Sequence, residues 1–261
     1  MPCGNLTTPL PVTMNNPVYI SEIFSSIQGE GYLAGRRQIF IRLAECNLDC
    51  SFCDTNHARE ETCRIETRPG SGEFSNLLQP LSLADVQQIV KVWCGKLPRA
   101  HHSISLTGGE PLLYADSLVS WLPVLRQVLP IHLETNGTMH LALEQVIEQV
   151  DYVSMDMKLP STSGCTEHLW DLHREFLRTA QGRNASVKVV IGDETSLGEI
   201  EQVCSIITDV DRLTPLFLQP LSVGNGVGIG VPHLLLLQET ASARLPDVRV
   251  IPQMHRMLGA L

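Results

Sequence analysis

Three cysteines lie close together in the stretch RLAECNLDCSFCDTNH (42–57). Cys46, Cys50 and Cys53 form a C-x3-C-x2-C pattern. Three thiolates can each hold one iron of a [4Fe–4S] cube, which leaves the fourth iron open to a ligand that is not part of the protein. Two alternatives remain open at this point. One is a zinc site that recruits His57 as a fourth ligand, and the other, weaker one is a disulfide cluster.

The composition is that of an ordinary folded protein. The 261 residues are 43% hydrophobic and 18% charged, which suits one large domain or two small ones. A formal net charge of −9 argues against a general binder of nucleic acid or of anionic membranes. No apolar run has the length that a membrane span needs. The first residues do not read as a secretory signal, so we expect a cytoplasmic protein whose clustered thiols serve a metal.

Strand-like and helix-like segments alternate along most of the chain. Apolar, β-branched runs predict strands over 37–44, 103–108, 131–135, 152–157, 186–191, 215–220 and 248–251. The segments between them predict helices over 82–95, 116–129, 142–150, 166–182, 196–208 and 232–243. This alternation predicts an α/β fold with right-handed crossovers and a mostly parallel sheet, built as a partial (β/α) barrel. Chemistry in such folds collects at the carboxyl ends of the strands, and the cysteine stretch follows the first of them.

Two stretches depart from the alternation. Residues 1–17 contain several Pro, Asn and Thr residues and are interpreted as a flexible leader. The stretch 57–81 is polar and punctuated by glycine, and it is interpreted as an insertion beside the site. We therefore expect a single domain over 18–261, with an insertion at about 57–81.

The cysteine pattern, placed after the first core strand, resembles the radical S-adenosylmethionine (SAM) superfamily. A second stretch, SLTGGEPLL (105–113), is similar to the GGEP motif of that superfamily. On its own TGGEP fits an ordinary strand-to-helix turn, but the two motifs together favour the superfamily. The resemblance implies a [4Fe–4S] cluster on the three cysteines, SAM bound at the open iron, and a 5′-deoxyadenosyl radical formed by one-electron reduction of the sulfonium.

A longer stretch narrows the resemblance. SEIFSSIQGEGYLAGRRQIFIRLAECNLDCSFCDT (21–55) closely resembles the 7-carboxy-7-deazaguanine synthase family. That family implies a carbon–nitrogen lyase that converts 6-carboxy-5,6,7,8-tetrahydropterin to 7-carboxy-7-deazaguanine and ammonia in 7-deazapurine (queuosine-type) biosynthesis. The implied contacts of the pterin are Ile27, Gln28, Gly29, Glu30, Arg42, Thr107 and Leu261. A glutamine can pair with a pyrimidinone edge and an arginine fork with a carboxylate, although QGEG alone fits a polar turn and Arg42 alone a surface ion pair.

The same resemblance implies the contacts of the cofactors. The implied SAM contacts are Phe52, Asp54, Gly109, Glu110, Ser154, Asp156, Lys158, Gln219, Pro220, Leu221 and Ser222. Thr55 resembles the family's Mg²⁺ ligand, since a hydroxyl suits a hard cation. SMDMK (154–158) departs from members that carry SPK, so which of its polar residues contacts SAM stays open. The implied partners are a flavodoxin or ferredoxin as electron donor and a second copy of the chain in a homodimer, with neither nucleic acid nor a membrane.

Two other functions remain open from the sequence. An activase of a glycyl-radical enzyme shares the cysteine loop and the barrel but acts on a protein, whereas QGEG together with Arg42 favours a small pterin. A zinc-binding interaction module without enzymatic activity would leave TGGEP without a role.

Overall fold

The computed structural model describes residues 17–53, 55–165, 169–224 and 226–260. The leader predicted over 1–17 lies outside the described residues except for Pro17. Within the described residues, one sheet contains ten strands and a separate hairpin contains two. The strands are β1 (Ile20–Ile27), β2 (Arg37–Leu43), β3 (Thr62–Glu66), β4 (Phe74–Leu78), β5 (Ser103–Gly108), β6 (Ile131–Thr135), β7 (Tyr152–Asp156), β8 (Asn184–Ile191), β9 (Leu216–Pro220), β10 (Ser222–Val223), β11 (Gly226–Val227) and β12 (Val248–Val250).

The helices follow the parallel strands, as the alternation predicts. They are α1 (Leu83–Lys96), α2 (Ala115–Arg126), α3 (His140–Val146), α4 (Pro160–Ser163), α5 (Leu169–Thr179), α6 (Leu197–Asp211), α7 (Val231–Ser242) and α8 (Met254–Leu258). Helix α1 begins with a capping box: the Ser82 hydroxyl accepts from the Asp85 backbone N–H at 3.2 Å, and the Asp85 carboxylate accepts from the Ser82 N–H at 2.9 Å. No helix in the described part of the chain combines the length and the apolar character that a membrane span requires.

The sheet is mostly parallel, which confirms the predicted α/β class. Strand order is β12-β9-β8-β7-β6-β5-β2-β1-β3-β4, and the seven strands from β12 to β2 are mutually parallel. These seven are the strands that the apolar runs predict. Strands β12 and β4 lie at opposite edges, and no pairing between them closes the sheet within the described residues.

The other three strands of the sheet were not predicted. Strand β1 pairs antiparallel with β2, and the stretch interpreted as an insertion supplies β3 and β4, which extend the sheet beyond β1. Four of the five residues of β4 are exposed, because it is the edge strand. That exposure removes the apolar pattern on which strand prediction depends.

The parallel strands have one apolar face and one polar face. Ile104 and Leu106 of β5 are fully buried in the apolar core, whereas Ser103 and Ser105 alternate with them and are buried among polar groups. Sheet register then aligns polar residues from different strands. Arg42 of β2 pairs with Thr107 of β5. The polar face thus becomes the floor of a cleft.

Candidate functional site

A cleft opens at the carboxyl ends of the parallel strands and gathers most of the residues that the sequence singles out. From that set, the cleft is lined by Ile27, Gln28, Gly29, Glu30, Arg42, Cys46, Cys50, Phe52, Cys53, Thr55, Thr107, Gly109, Ser154, Asp156, Lys158, Gln219, Pro220, Leu221 and Ser222. Glu110 lies behind this lining. Asp54 and Leu261 lie outside the described residues, so their roles stay predictions.

The cysteine loop connects β2 to the β3–β4 hairpin. Cys46 Sγ lies 3.9 Å from Asn136 Nδ2, and Cys53 Sγ lies 3.0 Å from His57 Nε2. Burial raises the pKa of the Cys46 thiol, and it raises the pKa of Cys50 to about 12. A metal must therefore displace protons from these thiols when it binds.

The donor set fits an iron–sulfur cluster better than a zinc ion. All three cysteines line one cleft. Among the described residues, however, no three His, Cys, Asp or Glu side chains are grouped so that they could hold a single metal ion. A structural zinc needs four ligands around one point, whereas each cysteine of a [4Fe–4S] site holds a different iron. Three separated thiols in one cleft match the second requirement.

The GGEP turn after β5 is interlocked with the start of the cysteine loop. The Gly109 N–H donates to the Leu43 carbonyl at 3.1 Å, and the Glu110 N–H donates to the Glu45 carbonyl at 2.8 Å. A β-carbon on Gly109 would lie 1.6 Å from Glu45 O, and one on Gly108 would lie 2.2 Å from Leu43 O. The close approach of two backbone segments therefore requires glycine at both positions.

The Glu110 carboxylate is fully buried and already hydrogen-bonded. It accepts from the Thr135 hydroxyl at 2.9 Å and from the backbone N–H groups of Asn136 and Leu112 at 2.8 and 3.0 Å. Burial raises the pKa of Glu110 to about 7, although the backbone donors oppose that shift. The carboxylate therefore holds the turn after β6 in place, and Asn136 of that turn contacts Cys46.

A buried network of charges crosses the cleft floor, and its centre, Lys188, was missed by sequence reasoning. Its Nζ lies 2.5 Å from a Glu30 oxygen and 3.0 Å from an Asp156 oxygen. Lys158 binds the same Asp156 oxygen at 3.0 Å. Burial alone would lower the pKa of Lys188, but the charges of Asp156 and Glu30 outweigh it and raise that pKa. A lone lysine inside the apolar run SVKVVI was the available signal.

Besides His57 Nδ1, two buried acceptor atoms of the lining have no partner in the described part of the chain. They are Gln219 Oε1 and Asp156 Oδ1. Buried acceptors in proteins are almost always satisfied, so an orphaned pair in a cleft is evidence for a ligand that donates hydrogen bonds. An ammonium group or ribose hydroxyls, both of which SAM carries, meet that requirement.

Elsewhere on the cleft floor, polar side chains surround the carboxylate of Glu134. Glu134 Oε1 accepts from Gln28 Nε2 and from the Ser105 hydroxyl, both at 2.7 Å, and Glu134 Oε2 accepts from the Thr107 hydroxyl at 3.2 Å. Gln28 and Thr107 are predicted substrate contacts, whereas Glu134 was not singled out. A charged residue at the end of a core strand was the available signal.

Arg42 lines the cleft, and two neighbouring side chains fix its position. Its Nε donates to Glu22 at 2.8 Å, and the guanidinium lies 5.7 Å from the centre of the Phe24 ring. Thr55 lines the cleft and also an adjoining groove, and Arg42 does the same. The ion pair expected if Arg42 has no ligand is thus present, and it is formed with Glu22 through Nε of the guanidinium.

The C-terminal helix α8 contacts the QGEG stretch. The Met254 N–H donates to the Gly29 carbonyl at 3.0 Å. A β-carbon on Gly29 would lie 2.1 Å from His255 Nδ1, so only glycine fits there. His255 and Arg256 line the cleft and were not identified from the sequence, because nothing in the sequence alone places them against residues more than two hundred positions away.

Comparisons with known proteins agree with this geometry. Residues 41–192 match the family model of the radical SAM superfamily. Over 244 residues the chain is 51% identical to the 7-carboxy-7-deazaguanine synthase of Geobacter sulfurreducens, which covers 93% of this chain and 97% of that protein. It is 37% identical over 260 residues to the 7-carboxy-7-deazaguanine synthase of Methanothermobacter thermautotrophicus, covering 92% and 96%.

A solved structure shows the same fold. The crystal structure of QueE from Escherichia coli superimposes with a TM-score of 0.60 at 24% identity, covering 91% of this chain and 94% of that one. At this identity the match concerns the fold alone, while the curated relatives establish the family. The chain therefore belongs to the 7-carboxy-7-deazaguanine synthase family of the radical SAM superfamily.

Proposed function

We propose that this protein converts 6-carboxy-5,6,7,8-tetrahydropterin to 7-carboxy-7-deazaguanine with release of ammonia. The observation that carries the proposal is one cleft with two differently equipped halves. One half holds three cysteines and two orphaned acceptors. The other holds Glu134, Gln28 and Thr107 in a hydrogen-bonded cluster beside Arg42. The curated relatives carry the name of this synthase.

Membership of the superfamily implies a [4Fe–4S] cluster and SAM. Cys46, Cys50 and Cys53 would hold the cluster. Such a cluster would supply the one-electron reduction of SAM on which removal of a hydrogen atom from C6 of the pterin depends. The protein's task is to orient both molecules and exclude water.

The SAM contacts are proposed on the cysteine side of the cleft. Gly109, Ser154, Asp156, Lys158 and the stretch 219–222 line it, and the Lys158 ammonium lies 5.0 Å from the centre of the Phe52 ring. Asp156 Oδ1 is a free acceptor for an ammonium or a hydroxyl group. Because the Glu110 carboxylate already accepts several hydrogen bonds, its part in SAM binding is to shape the turn that carries Asn136.

The pterin contacts are proposed on the other side. Glu134 Oε1 already accepts from Gln28 and Ser105, whereas Oε2 accepts from Thr107 and can accept one further hydrogen bond. The amino group or the ring N–H of an aminopyrimidinone can donate it. Gln28 donates both amide hydrogens, to Gln38 and to Glu134, and so fixes the position of Glu134. Gln28 Oε1, which accepts the Glu30 N–H, can accept a further hydrogen bond from an N–H of the ring. The guanidinium of Arg42 would meet the substrate carboxylate. Ile27 and Gly29 line the same wall, and Glu30 ties it to Lys188.

A magnesium ion is proposed at Thr55. The Thr55 side chain lies in the cleft near Arg42, where the substrate carboxylate would also lie. One hydroxyl, substrate oxygens and waters make a reasonable octahedral set for Mg²⁺. The ion would steady the carboxylate and stabilise negative charge during ring contraction.

The remaining partners follow from this chemistry. A small reductant protein, such as flavodoxin or ferredoxin, would supply the electron, and the active form would be a homodimer. Clustered thiols that hold iron require a reducing compartment such as the cytoplasm. Helix α8 is bonded to Gly29, and His255 and Arg256 of this helix line the cleft beside the proposed pterin contacts.

The test is anaerobic reconstitution with iron and sulfide, followed by incubation with SAM, Mg²⁺, a reductant and the pterin. We expect a product with the mass of 7-carboxy-7-deazaguanine and a matching amount of ammonia. Cys50→Ala should bind no intact cluster and give no product. A wild-type protein that carries the cluster and cleaves SAM but yields no deazaguanine would refute the substrate assignment. Stoichiometric zinc without sulfide would refute the cluster.

A further inference from the structure

A fourth cysteine lies beside the cysteine loop. Cys165 Sγ is 4.0 Å from Cys50 Sγ, and both thiols are free and partly exposed. Cys50 lines the cleft, whereas Cys165 is absent from the lining within the described residues. Cys165 therefore approaches Cys50 from outside the space that SAM and the pterin would share.

Hydrogen bonds hold the two cysteine segments together. The Ser51 N–H donates to the Ser163 carbonyl at 3.0 Å, and the Ser51 hydroxyl donates to the Thr162 carbonyl at 2.6 Å. The Cys165 N–H in turn donates to the Ser163 hydroxyl at 3.1 Å. The residue next to Cys50 is thus bonded to the turn that carries Cys165. The proximity of the two sulfurs is built into the backbone.

We propose that Cys50 and Cys165 form a reversible disulfide in the cluster-free protein when it meets a low-molecular-weight disulfide such as oxidised glutathione. A disulfide needs its sulfurs about 2 Å apart, so each side chain moves by roughly 1 Å, within the reach of a rotation about Cα–Cβ. The bond joins two segments that already touch.

The exchange balances without another reactant. One protein thiolate attacks the small disulfide, which forms a mixed disulfide and releases one small thiol. The second protein thiol gives up its proton and attacks the mixed disulfide, which forms the Cys50–Cys165 bond and releases the second small thiol. Two protein thiols are oxidised by two electrons in total, and one small disulfide is reduced to two thiols.

The consequence concerns recovery of the enzyme. A cysteine held in a disulfide cannot bind iron, but it resists oxidation to the irreversible sulfinic and sulfonic acids. A thiol reductant then returns Cys50 to its free form. This consequence rests on the proposed role of Cys50 as a cluster ligand, whereas the disulfide itself does not. The contacts of Cys46 and Cys53 are with Asn136 and His57 instead.

The disulfide is tested on the full-length, cluster-free protein. It is treated with oxidised glutathione under nitrogen, alkylated without reduction, digested and mapped by mass spectrometry. We expect a Cys50–Cys165 cross-linked peptide that dithiothreitol removes. Cys165→Ser should abolish this peptide, while Cys94→Ser, on helix α1, should leave it intact. Glutathione left on Cys50, or disulfides among Cys46, Cys50 and Cys53 instead, would overturn the proposal.

Protection is tested in a second arm. Wild type that carries the Cys50–Cys165 disulfide and wild type left reduced are exposed to hydrogen peroxide and reduced again, and the Cys50 peptide is analysed by mass spectrometry. An untreated portion is reconstituted with iron and sulfide. Sulfinic and sulfonic Cys50 should be severalfold less abundant in the protein that carried the disulfide. Equal over-oxidation of Cys50 in the two samples would refute the protective role. If the untreated portion binds no iron, the proposed cluster fails, while the peptide map still decides the disulfide.

Discussion

The backbone carbonyl oxygen of Glu45 lies 1.6 Å from the position that a β-carbon on Gly109 would take. Glu45 itself has a left-handed backbone, with φ of 62°, and it directly precedes the first cysteine. Its carbonyl also accepts the Glu110 N–H at 2.8 Å. The two motifs that identify the superfamily are therefore one packed unit, in which the GGEP turn fixes where the cysteine loop begins.

Gly109→Ala should disrupt this unit. Because the obstacle is backbone, no side-chain rotation relieves the clash, and we expect a loss of roughly 1–3 kcal/mol or more in the free energy of unfolding. The cysteine loop should shift with it, so iron bound after reconstitution should fall severalfold. Denaturant unfolding and iron analysis measure the two effects.

A matched glycine provides the control. Gly95 lies in helix α1, and an added β-carbon there meets no atom within 4 Å. Gly95→Ala should leave iron binding unchanged and stabilise the protein by up to about 1 kcal/mol. If Gly109→Ala bound as much iron as Gly95→Ala, the packing of the GGEP turn against the cysteine loop would not be needed for iron binding.

Arg42→Ala should weaken the pterin and spare SAM. A charge-assisted pair contributes about 1.5–3 kcal/mol, which corresponds to a roughly 10- to 100-fold rise in the Kd of the pterin. For Arg42→Lys, the Kd of the pterin should lie between the values for wild type and for Arg42→Ala, because lysine keeps the charge and loses the planar fork. Uncoupled SAM cleavage should persist in both variants.

The control for that series is Arg178→Ala. Arg178 pairs with Glu175 on the surface of α5, far from the lining of the cleft. It should bind the pterin as wild type does. Unchanged pterin affinity in Arg42→Ala would remove the proposed carboxylate clamp, and the Glu22–Arg42 pair would then be structural only.

Lys188→Met should be strongly destabilising. It leaves Glu30 and Asp156 buried beside an apolar side chain, and breaking a buried pair by removing one partner costs about 3–5 kcal/mol. The deficit should shrink as the pH falls towards 5, since the buried Glu30 carboxylate without its lysine takes up a proton more readily, while Asp156 keeps Lys158. Exposed Lys91→Met is the comparison. A difference below about 0.5 kcal/mol between the two variants would contradict a structural role for the network.

His173 should make the protein sensitive to acid. Burial lowers its pKa from the ordinary 6.5 to about 4, so the unfolded chain binds a proton that the folded chain refuses between these values. Stability is therefore lost as the pH falls through this window, by roughly 3 kcal/mol from this group. In His173→Phe the new ring takes the place beside Trp170, and the free energy of unfolding should fall less over the same pH range. Parallel pH profiles for the variant and wild type would rule this out.

The parallel part of the sheet could be predicted because its strands are buried on both faces. Short, β-branched runs such as 103–108 and 186–191 are typical of buried parallel strands, even where a serine, threonine or lysine interrupts them. Strand β1 escaped prediction because it buries Ser25 and Ser26, which break the apolar pattern. The β3–β4 hairpin escaped because its outer strand lies at an exposed edge.

The residues of the site likewise divide into those that the sequence predicts and those that it does not. The cysteines and the GGEP turn are contiguous motifs, so residue type and spacing suffice to find them. Lys188, Glu134 and His255 are single residues whose partners in the cleft lie 27 or more positions away along the chain, so only the fold brings them together. Glu134, for example, meets Gln28 across 106 positions. Such residues become visible only when register and strand order are known.

Transfer of the hydrogen atom from C6 of the pterin tests the central claim most directly. The reconstituted enzyme is supplied with pterin deuterated at C6, and the SAM pool and the 5′-deoxyadenosine released by abortive cleavage are analysed by mass spectrometry. Deuterium should enter the 5′ position as 7-carboxy-7-deazaguanine accumulates. If product accumulated while the adenosyl group stayed unlabelled, or if SAM were cleaved with the pterin left intact, cofactor and substrate would not react in this cleft as described.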